Sequence, residues 1–297
     1  MLKTKSEFVA IVGKPNAGKS SLLNSMIGEK IAIVSNKPQT TRTRITGVLT
    51  KESTQFVFID TPGLHKPKTK LDEYMVKQVD DSVADVDTAV LVVDFQGEPA
   101  KAELELIDSF KSLHIPALLV INKIDTLAQK EQIIQRIDQY RSLFEFESVI
   151  PLSAKTGEGV EILLKELDKL AQEGPHFFPG DTMTDQPERV IAAEIIREKL
   201  LRNLSDEVPH GTAVEIESMK EREGADIIDI DAVIYCEKES HKGIIIGKGG
   251  AMLKKVATQA RKELEDFLDI KVNLKTWVKV KDDWRNKESA VRSLGYN

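Results

Sequence analysis

The 297-residue chain reads as a doubly wound, mostly parallel α/β sheet followed by a smaller α+β unit. Three observations predict this. Short apolar runs alternate with stretches of helical period from Phe8 to about Leu170. A glycine-rich turn follows the first apolar run, and the alternation ends at a turn-rich stretch beyond which the elements follow a different order.

The runs Phe8 to Val12, Gln55 to Asp60, Ala89 to Asp94, Ala117 to Asn122 and Val149 to Leu152 read as strands. Leu71 to Val83 and Gln129 to Leu143 carry apolar residues at helical spacing. In a parallel sheet wrapped by helices, ligand-binding loops lie beyond the carboxyl ends of the strands, which is where Gly13, Asp60, Asn122 and Ser153 fall. Residues 174–187, containing Gly174-Pro175-His176-Phe177-Phe178-Pro179-Gly180, sustain no period and read as a linker between a domain over 1–173 and another over 188–297.

Past the linker, a helix running through Leu204 places Ile191, Ile195 and Leu201 on one face. Strands Ala213 to Ser218 and Ile227 to Cys236 follow, then a short helix Lys242 to Ile246, a helix Met252 to Phe267 and a strand Lys271 to Val280. In that last strand Trp277 reads as core, while Trp284 is assigned no base.

The length suffices for two cores. Cys236 is the only cysteine, which excludes a disulfide framework and a thiolate metal site and fits a reducing cytoplasm. The opening Met-Leu-Lys-Thr-Lys-Ser lacks the apolar core of a signal peptide, and no apolar run is long enough to span a bilayer, so a soluble protein is expected. A net charge of -6 argues that any nucleic-acid site is a local patch.

Gly13-Lys14-Pro15-Asn16-Ala17-Gly18-Lys19-Ser20, with Ser21 after it, fits G-x-x-x-x-G-K-[ST]. Such a turn aims backbone N–H groups at phosphate, Lys19 reaches the β- and γ-phosphates, and the Ser20 hydroxyl suits Mg²⁺. Asn122-Lys123-Ile124-Asp125 decides the base. A carboxylate such as Asp125 accepts the ring N–H and exocyclic amine of guanine together, and adenine presents no such donor pair, so the ligand is GTP or GDP. Asp60-Thr61-Pro62-Gly63 supplies a carboxylate for Mg²⁺ through water and a backbone N–H for the γ-phosphate. Within the polar segment Ser35 to Arg44, Thr40 or Thr41 offers a second hydroxyl to the metal, and the Ala154 N–H of Ser153-Ala154-Lys155 is placed to reach the guanine O6. His65 reads as a solvated loop histidine.

These five elements resemble the Ras-like GTPase superfamily, and Pro15-Asn16 with Pro38-Gln39-Thr40-Thr41-Arg42 resembles its Era branch over essentially the whole chain. The resemblance implies that Asn122 and Asp125 read guanine, that the Lys123 stem packs on the base, that Ser20 and Thr41 bind Mg²⁺, and that Lys19, Asn16, Thr41 and Gly63 serve hydrolysis. Leu64 stands where Ras-type enzymes carry a glutamine that orients the attacking water. Together with Asn16 it suggests a bound K⁺ supplying charge otherwise given by an arginine finger, and slow intrinsic turnover.

Gly247-Lys248-Gly249-Gly250 places G-x-x-G between a short and a longer helix. Ser240 to Lys262 holds six basic residues (Lys242, Lys248, Lys254, Lys255, Arg261, Lys262) and no acid. This is the pattern of a KH domain, in which glycines admit the RNA backbone and lysines meet phosphate. His241, Lys242, Gly247, Lys248, Gly249, Gly250, Lys254 and Lys255 are the candidate contacts. The order α-β-β-α-α-β resembles the type II KH arrangement of Era proteins. The implied partner is the single-stranded 3′ tail of small-subunit ribosomal RNA, bound by a monomer that assists 30S assembly and associates peripherally with the inner membrane. Two rivals are an RNA-binding scaffold that holds nucleotide without turnover and a GTPase acting mainly at the membrane.

Overall fold

A computed structural model describes residues 3–127 and 131–296. In chain order the elements are β1 (Lys5–Val12), α1 (Lys19–Ile27), β2 (Ile45–Lys51), β3 (Thr54–Asp60), α2 (Lys70–Ala84), β4 (Thr88–Asp94), α3 (Lys101–Leu113), β5 (Ala117–Asn122), α4 (Glu131–Arg141), β6 (Ser148–Pro151), α5 (Val160–Leu170) and β7 (Gln172–Glu173). There follow α6 (Glu188–Asn203), β8 (Ala213–Glu221), β9 (Ile227–Cys236), α7 (Glu239–Ile246), α8 (Ala251–Leu268), β10 (Lys271–Val280) and α9 (Glu288–Ser293). The expected start of the fourth helix, at Gln129, lies outside the described residues. Two compact units result: one takes the chain to Pro67 and from Met75 to Asp185, the other takes Lys68–Tyr74 and the chain from Gln186.

In the first unit the strand order is β2-β3-β1-β4-β5-β6. β1 pairs in parallel with both β3 and β4, so the order reverses at β1 and opens a crevice beyond its carboxyl end. Both faces of the sheet are covered. Val9, Ile11, Val90, Val92, Leu118 and Val120 pack into one core, and Ala10, Val12, Leu91, Val93, Leu119 and Ile121 into another. Burial on both faces is why these strands read as continuous apolar runs.

Two strands of this sheet, β2 and the two-residue β7, were not predictable from that pattern. β2 (Ile-Thr-Gly-Val-Leu-Thr-Lys) has no clean alternation; it is the outermost strand, paired antiparallel with β3 and bridged on its other edge only by the linker, Gly47 to Thr184. The linker also differs from a free connection, since hydrogen bonds fasten it to the first unit. The Gln55 amide accepts from the Phe177 and Phe178 N–H groups at 2.7 and 2.9 Å and donates to the Phe178 carbonyl at 2.9 Å. The Val48 N–H donates to the Met183 carbonyl at 2.8 Å, and the Thr184 hydroxyl donates to the Thr46 carbonyl at 2.7 Å.

The second unit has a three-stranded sheet, β10-β9-β8, with β9 and β10 parallel and β8 antiparallel to β9. Ile191, Ile195, Ile230, Ala232, Ile234, Val256, Ala260, Leu264 and Val272 form its core. Trp277 corrects the expectation drawn above: it is 45% exposed. Val272, Leu274, Val278 and Val280 face the helices, and Trp277 has the opposite parity, sharing its face with Lys275 and Lys279. Trp284 is fully buried and donates its indole N–H to the Gly211 carbonyl at 2.9 Å.

Candidate active site

The crevice beyond β1 collects side chains from three stretches of sequence. Ser20 Oγ, opening α1, lies 2.8 Å from Thr41 Oγ1 and donates to Asp60 Oδ2 at 2.6 Å. Thr40 is turned elsewhere, its hydroxyl donating to the Lys37 carbonyl at 2.7 Å. Of the two threonines left open by the sequence, Thr41 is the one gathered with Ser20 and Asp60. Asp60 is fully buried and its Oδ1 has no hydrogen-bond partner. Burial raises its carboxyl to about 6 against the opposing pull of Lys19, Ser20 and Thr41. An all-oxygen group of two hydroxyls and a carboxylate with an unpartnered atom suits a hard divalent cation.

Lys19 is buried and donates to the Gly13 and Lys14 carbonyls at 3.1 Å each; burial lowers its ammonium to about 8 while Asp60 opposes. Asn16 holds a left-handed φ of 62° and donates its amide to the Asn36 carbonyl at 2.8 Å, joining the phosphate loop to the Ser35 to Arg44 segment. Pro15, Gly18, Ser21 and Gly63 line the same cleft. At Gly63 a Cβ would lie 2.6 Å from the Pro15 Cα, so any side chain would push the phosphate loop aside. Thr61 is fixed beneath by its hydroxyl, which donates to the Ile11 carbonyl at 2.9 Å, and Pro62 is buried beside it. Leu64 packs into the core with Ala10 and Val12, away from any role in holding water. His65 is half-buried with Nδ1 2.8 Å from the Gly63 carbonyl, so it is more enclosed than a solvated loop residue.

The base-reading residues form an interlocked set. Asn122 donates to the Ala17 carbonyl at 2.9 Å and accepts from the Lys123 and Ala154 N–H groups at 2.7 and 3.0 Å. The Ala154 N–H, expected to meet a guanine oxygen, is thus engaged by Asn122 here. Asp125 accepts from the Ser153 hydroxyl at 2.8 Å, with the Lys155 ammonium 3.9 Å away, and the Ile124 N–H donates to the Leu152 carbonyl at 3.3 Å.

Four further residues, not foreseen from the sequence, stand behind this set. Lys123 donates to Asp94 Oδ2 at 2.8 Å. Arg136 donates to the Asp94 and Gly97 carbonyls at 3.0 and 2.6 Å and to the Tyr140 hydroxyl at 3.0 Å. Tyr140 donates to Glu103 Oε2 at 2.6 Å, and Glu103 Oε1 lies 3.9 Å from the Lys14 ammonium. Asp94, Arg136, Tyr140 and Glu103 therefore form a polar strut from the base-reading loop to the phosphate loop. The one signal in the sequence was the i, i+4 spacing of Arg136 and Tyr140 on a helix face.

In the second unit, α7 ends at Ile246, a 3₁₀ turn spans Lys248–Gly250, and α8 begins at Ala251. Gly249 has φ +59° and a Cβ there would meet nothing, so the backbone conformation and not crowding calls for glycine. Gly247 and Gly250 flank it at positive φ. Lys248, Lys254 and Lys255 are exposed, Lys242 is half-buried, and the Nδ1 of half-buried His241 has no hydrogen-bond partner. Ile244, exposed beside the turn, adds an apolar seat that the sequence reading passed over.

The family model described as a 50S ribosome-binding GTPase matches residues 8–123, and a KH domain model matches residues 207–285. The GTPase Era of Ruminiclostridium cellulolyticum is 52% identical across 98% of this chain and 97% of its own, and that of Clostridioides difficile is 49% identical across 99% of each. This chain belongs to the Era family of GTPases. A crystal structure of an Aquifex aeolicus Era variant bound to GDP·AlF₄⁻ superposes with a TM-score of 0.95 at 38% identity, covering 99% of both chains. So does a crystal structure of Era in complex with MgGDPNP and nucleotides 1506–1542 of 16S ribosomal RNA, with the same score, identity and coverage. As an Era-family GTPase the chain hydrolyses GTP to GDP and phosphate. After Gly63 its cleft carries Leu64, where Ras-type sites have the glutamine that orients the attacking water.

Proposed function

We propose that this Era-family chain is a guanine-nucleotide switch joined to an RNA clamp. It binds GTP and GDP with Mg²⁺, hydrolyses GTP slowly, grips the 3′ region of 16S rRNA through its KH unit and assists assembly of the 30S subunit. The observation that carries the reading is the Ser20, Thr41 and Asp60 cluster. Thr41 stands only four positions before Ile45, the first residue of β2, and the linker is hydrogen-bonded along β2 at Thr46 and Val48. Order imposed on Thr41 therefore has a short covalent and hydrogen-bonded route to the chain that leads into the RNA-binding unit.

Ser20 and Thr41 would hold Mg²⁺ directly and Asp60 through water; when bound, that ion neutralises phosphate charge. Lys19 offsets the β- and γ-phosphates, Gly63 offers its N–H to the γ-phosphate, and Asp125 and Asn122 select guanine. With Leu64 packed into the core, Asn16 would recruit K⁺ as the supplementary cation. Hydrolysis that does not change on replacing K⁺ by Na⁺, nor in Asn16→Ala, would rule that part out. The protein acts as a cytoplasmic monomer. In this reading it associates peripherally with the inner membrane; among the described residues no helix is long and apolar enough to cross a membrane.

The MgGDPNP and 16S rRNA bound in the similar Era structure support this reading, as does the acid-free stretch around G-x-x-G. The test is crosslinking and sequencing of RNA bound in cells, comparing wild type with Lys248→Asp/Gly249→Asp. A peak at the 16S 3′ end that disappears in the double variant is expected. A peak indifferent to the variant would dismiss the clamp.

A further inference from the structure

β10 is the edge strand of the second sheet, and its outward face carries Lys271, Asn273, Lys275, Trp277 and Lys279. From Lys271 to Lys281 there are four lysines and no acid. Trp277 is 45% exposed, and its cross-strand neighbour Val233 is fully buried, so the ring sits on an apolar floor with its remaining surface in water. Lys275 and Lys279 lie two positions to either side, on the same face by strand parity.

The acids that share this face from the neighbouring strands are mostly engaged. Asp229 accepts from Arg222 at 2.5 and 2.9 Å and from Asn273 at 2.6 Å. Glu217 is paired with Lys279 at 2.9 Å, and Glu215 accepts from the Tyr235 hydroxyl at 3.0 Å. Asp231 stands in register with Lys275.

We propose that this face of β10 is a second contact for single-stranded RNA, with Trp277 stacking on a base, Lys275 meeting a flanking phosphate, and Lys279 exchanging its solvent-exposed pairing with Glu217 for the phosphate on the other side. The inference rests on the RNA-clamp reading of the same unit. A KH groove holds about four nucleotides, so a longer strand needs further footing once it leaves the G-x-x-G. One aromatic ring between cations is the arrangement that suits such a strand, because every base has a π-face and every linkage a charge. A protein partner would call for a cluster of apolar residues, and a membrane for several bulky anchors. Among the described residues Trp277 is the only large exposed apolar side chain on this strand.

The chain has two tryptophans, one exposed and one fully buried, which makes emission a direct probe. The experiment titrates the full chain with two RNAs: a 16S 3′-terminal oligonucleotide of about four nucleotides, the length of a KH groove, and one several times longer. The longer RNA should quench wild-type emission, and Trp277→Leu should weaken its binding about tenfold, as expected for one lost base–aromatic stack. Trp277→Phe should restore the affinity without the quench, Lys275→Glu should weaken the longer RNA alone, and the short RNA and the basal GTPase rate should be unchanged throughout. Binding of the longer RNA that is unaltered in Trp277→Leu, or that leaves emission unchanged in the wild type, would overturn the proposal while leaving the G-x-x-G clamp intact. Failure of the wild type to bind either RNA would overturn both.

Discussion

The nucleotide cleft and the G-x-x-G surface are both phosphate sites, yet they are built in opposite ways. In the cleft, polar side chains, Thr41, Asp60, Asn122 and Ser153 among them buried, hold one another at hydrogen-bond distance: Ser20 with Thr41 and Asp60, Asn122 with Ala17 and Ala154, Ser153 with Asp125. Around Gly249 the lysines are exposed and the glycine offers open backbone. The difference teaches what each site is for. A preorganised, water-poor cleft discriminates one base and holds reacting groups in place, whereas an open surface with mobile cations accommodates a flexible strand whose affinity comes largely from charge. Losses at the first should be large and specific, and losses at the second graded and salt-dependent.

The largest effect belongs to base reading. Asp125→Asn removes the charge from two hydrogen bonds to guanine, each worth about 1.5–3 kcal/mol. GDP affinity measured by calorimetry should fall about 10³-fold, while RNA affinity of the nucleotide-free chain stays constant. A loss below tenfold would mean that the cleft is less interlocked than its distances imply.

Next comes Arg136→Ala, which leaves Tyr140, Glu103 and the Asp94 carbonyl without a shared donor. Removing one partner of a buried charged network costs about 3–5 kcal/mol. Denaturant unfolding should show a loss of this order, and GDP release followed by fluorescent-nucleotide chase should quicken, because Asp94 no longer frames Lys123 as firmly.

A buried group of the first unit outside the cleft should behave in the opposite sense. Burial raises the Glu7 carboxyl from 4.5 to about 8, with Asp87 and Asp168 adding to the rise and Thr88 and Lys5 opposing it. Between those two values the unfolded chain holds fewer protons at this site than the folded one, so stability falls as pH rises through that window. Glu7→Gln removes the slope and should stabilise the protein above pH 8 by on the order of 2 kcal/mol, with little change below pH 4.5. Thermal unfolding across pH checks it, and parallel profiles for the two proteins would contradict it.

The smallest effect is the most diagnostic of an open site. In Lys254→Ala/Lys255→Ala, the slope of log affinity against log salt for single-stranded RNA should flatten by about 1.4, at roughly 0.7 per phosphate contact. A drop in affinity at constant slope would show that these lysines act through folding of α8 and not through phosphate.

Much of this was legible in the sequence where burial writes a simple pattern. β1, β4 and β5 are covered on both faces and so stand out as apolar runs, and the phosphate loop, Asp60 to Gly63 and Asn122 to Asp125 each occupy one short stretch of chain. β2, the outermost strand, did not stand out because its residues carry no clean alternation. The Asp94, Glu103, Arg136 and Tyr140 strut was invisible because its members lie on β4, α3 and α4 and meet only when the sheet brings those elements together. Trp277 shows that parity outranks residue type: its apolar ring suggested core, but its place two residues from a lysine on each side put it on the solvent face.

The central claim is that nucleotide state sets the grip on RNA, and the direct test is RNA affinity of the full chain with a non-hydrolysable GTP analogue and with GDP at fixed salt. The account predicts tighter RNA binding with the analogue, by about fivefold or more, and linkage requires that RNA tighten analogue binding relative to GDP by the same factor. Equal RNA affinity in the two states would contradict it and leave a GTPase and an RNA-binding unit that share a chain without sharing a switch.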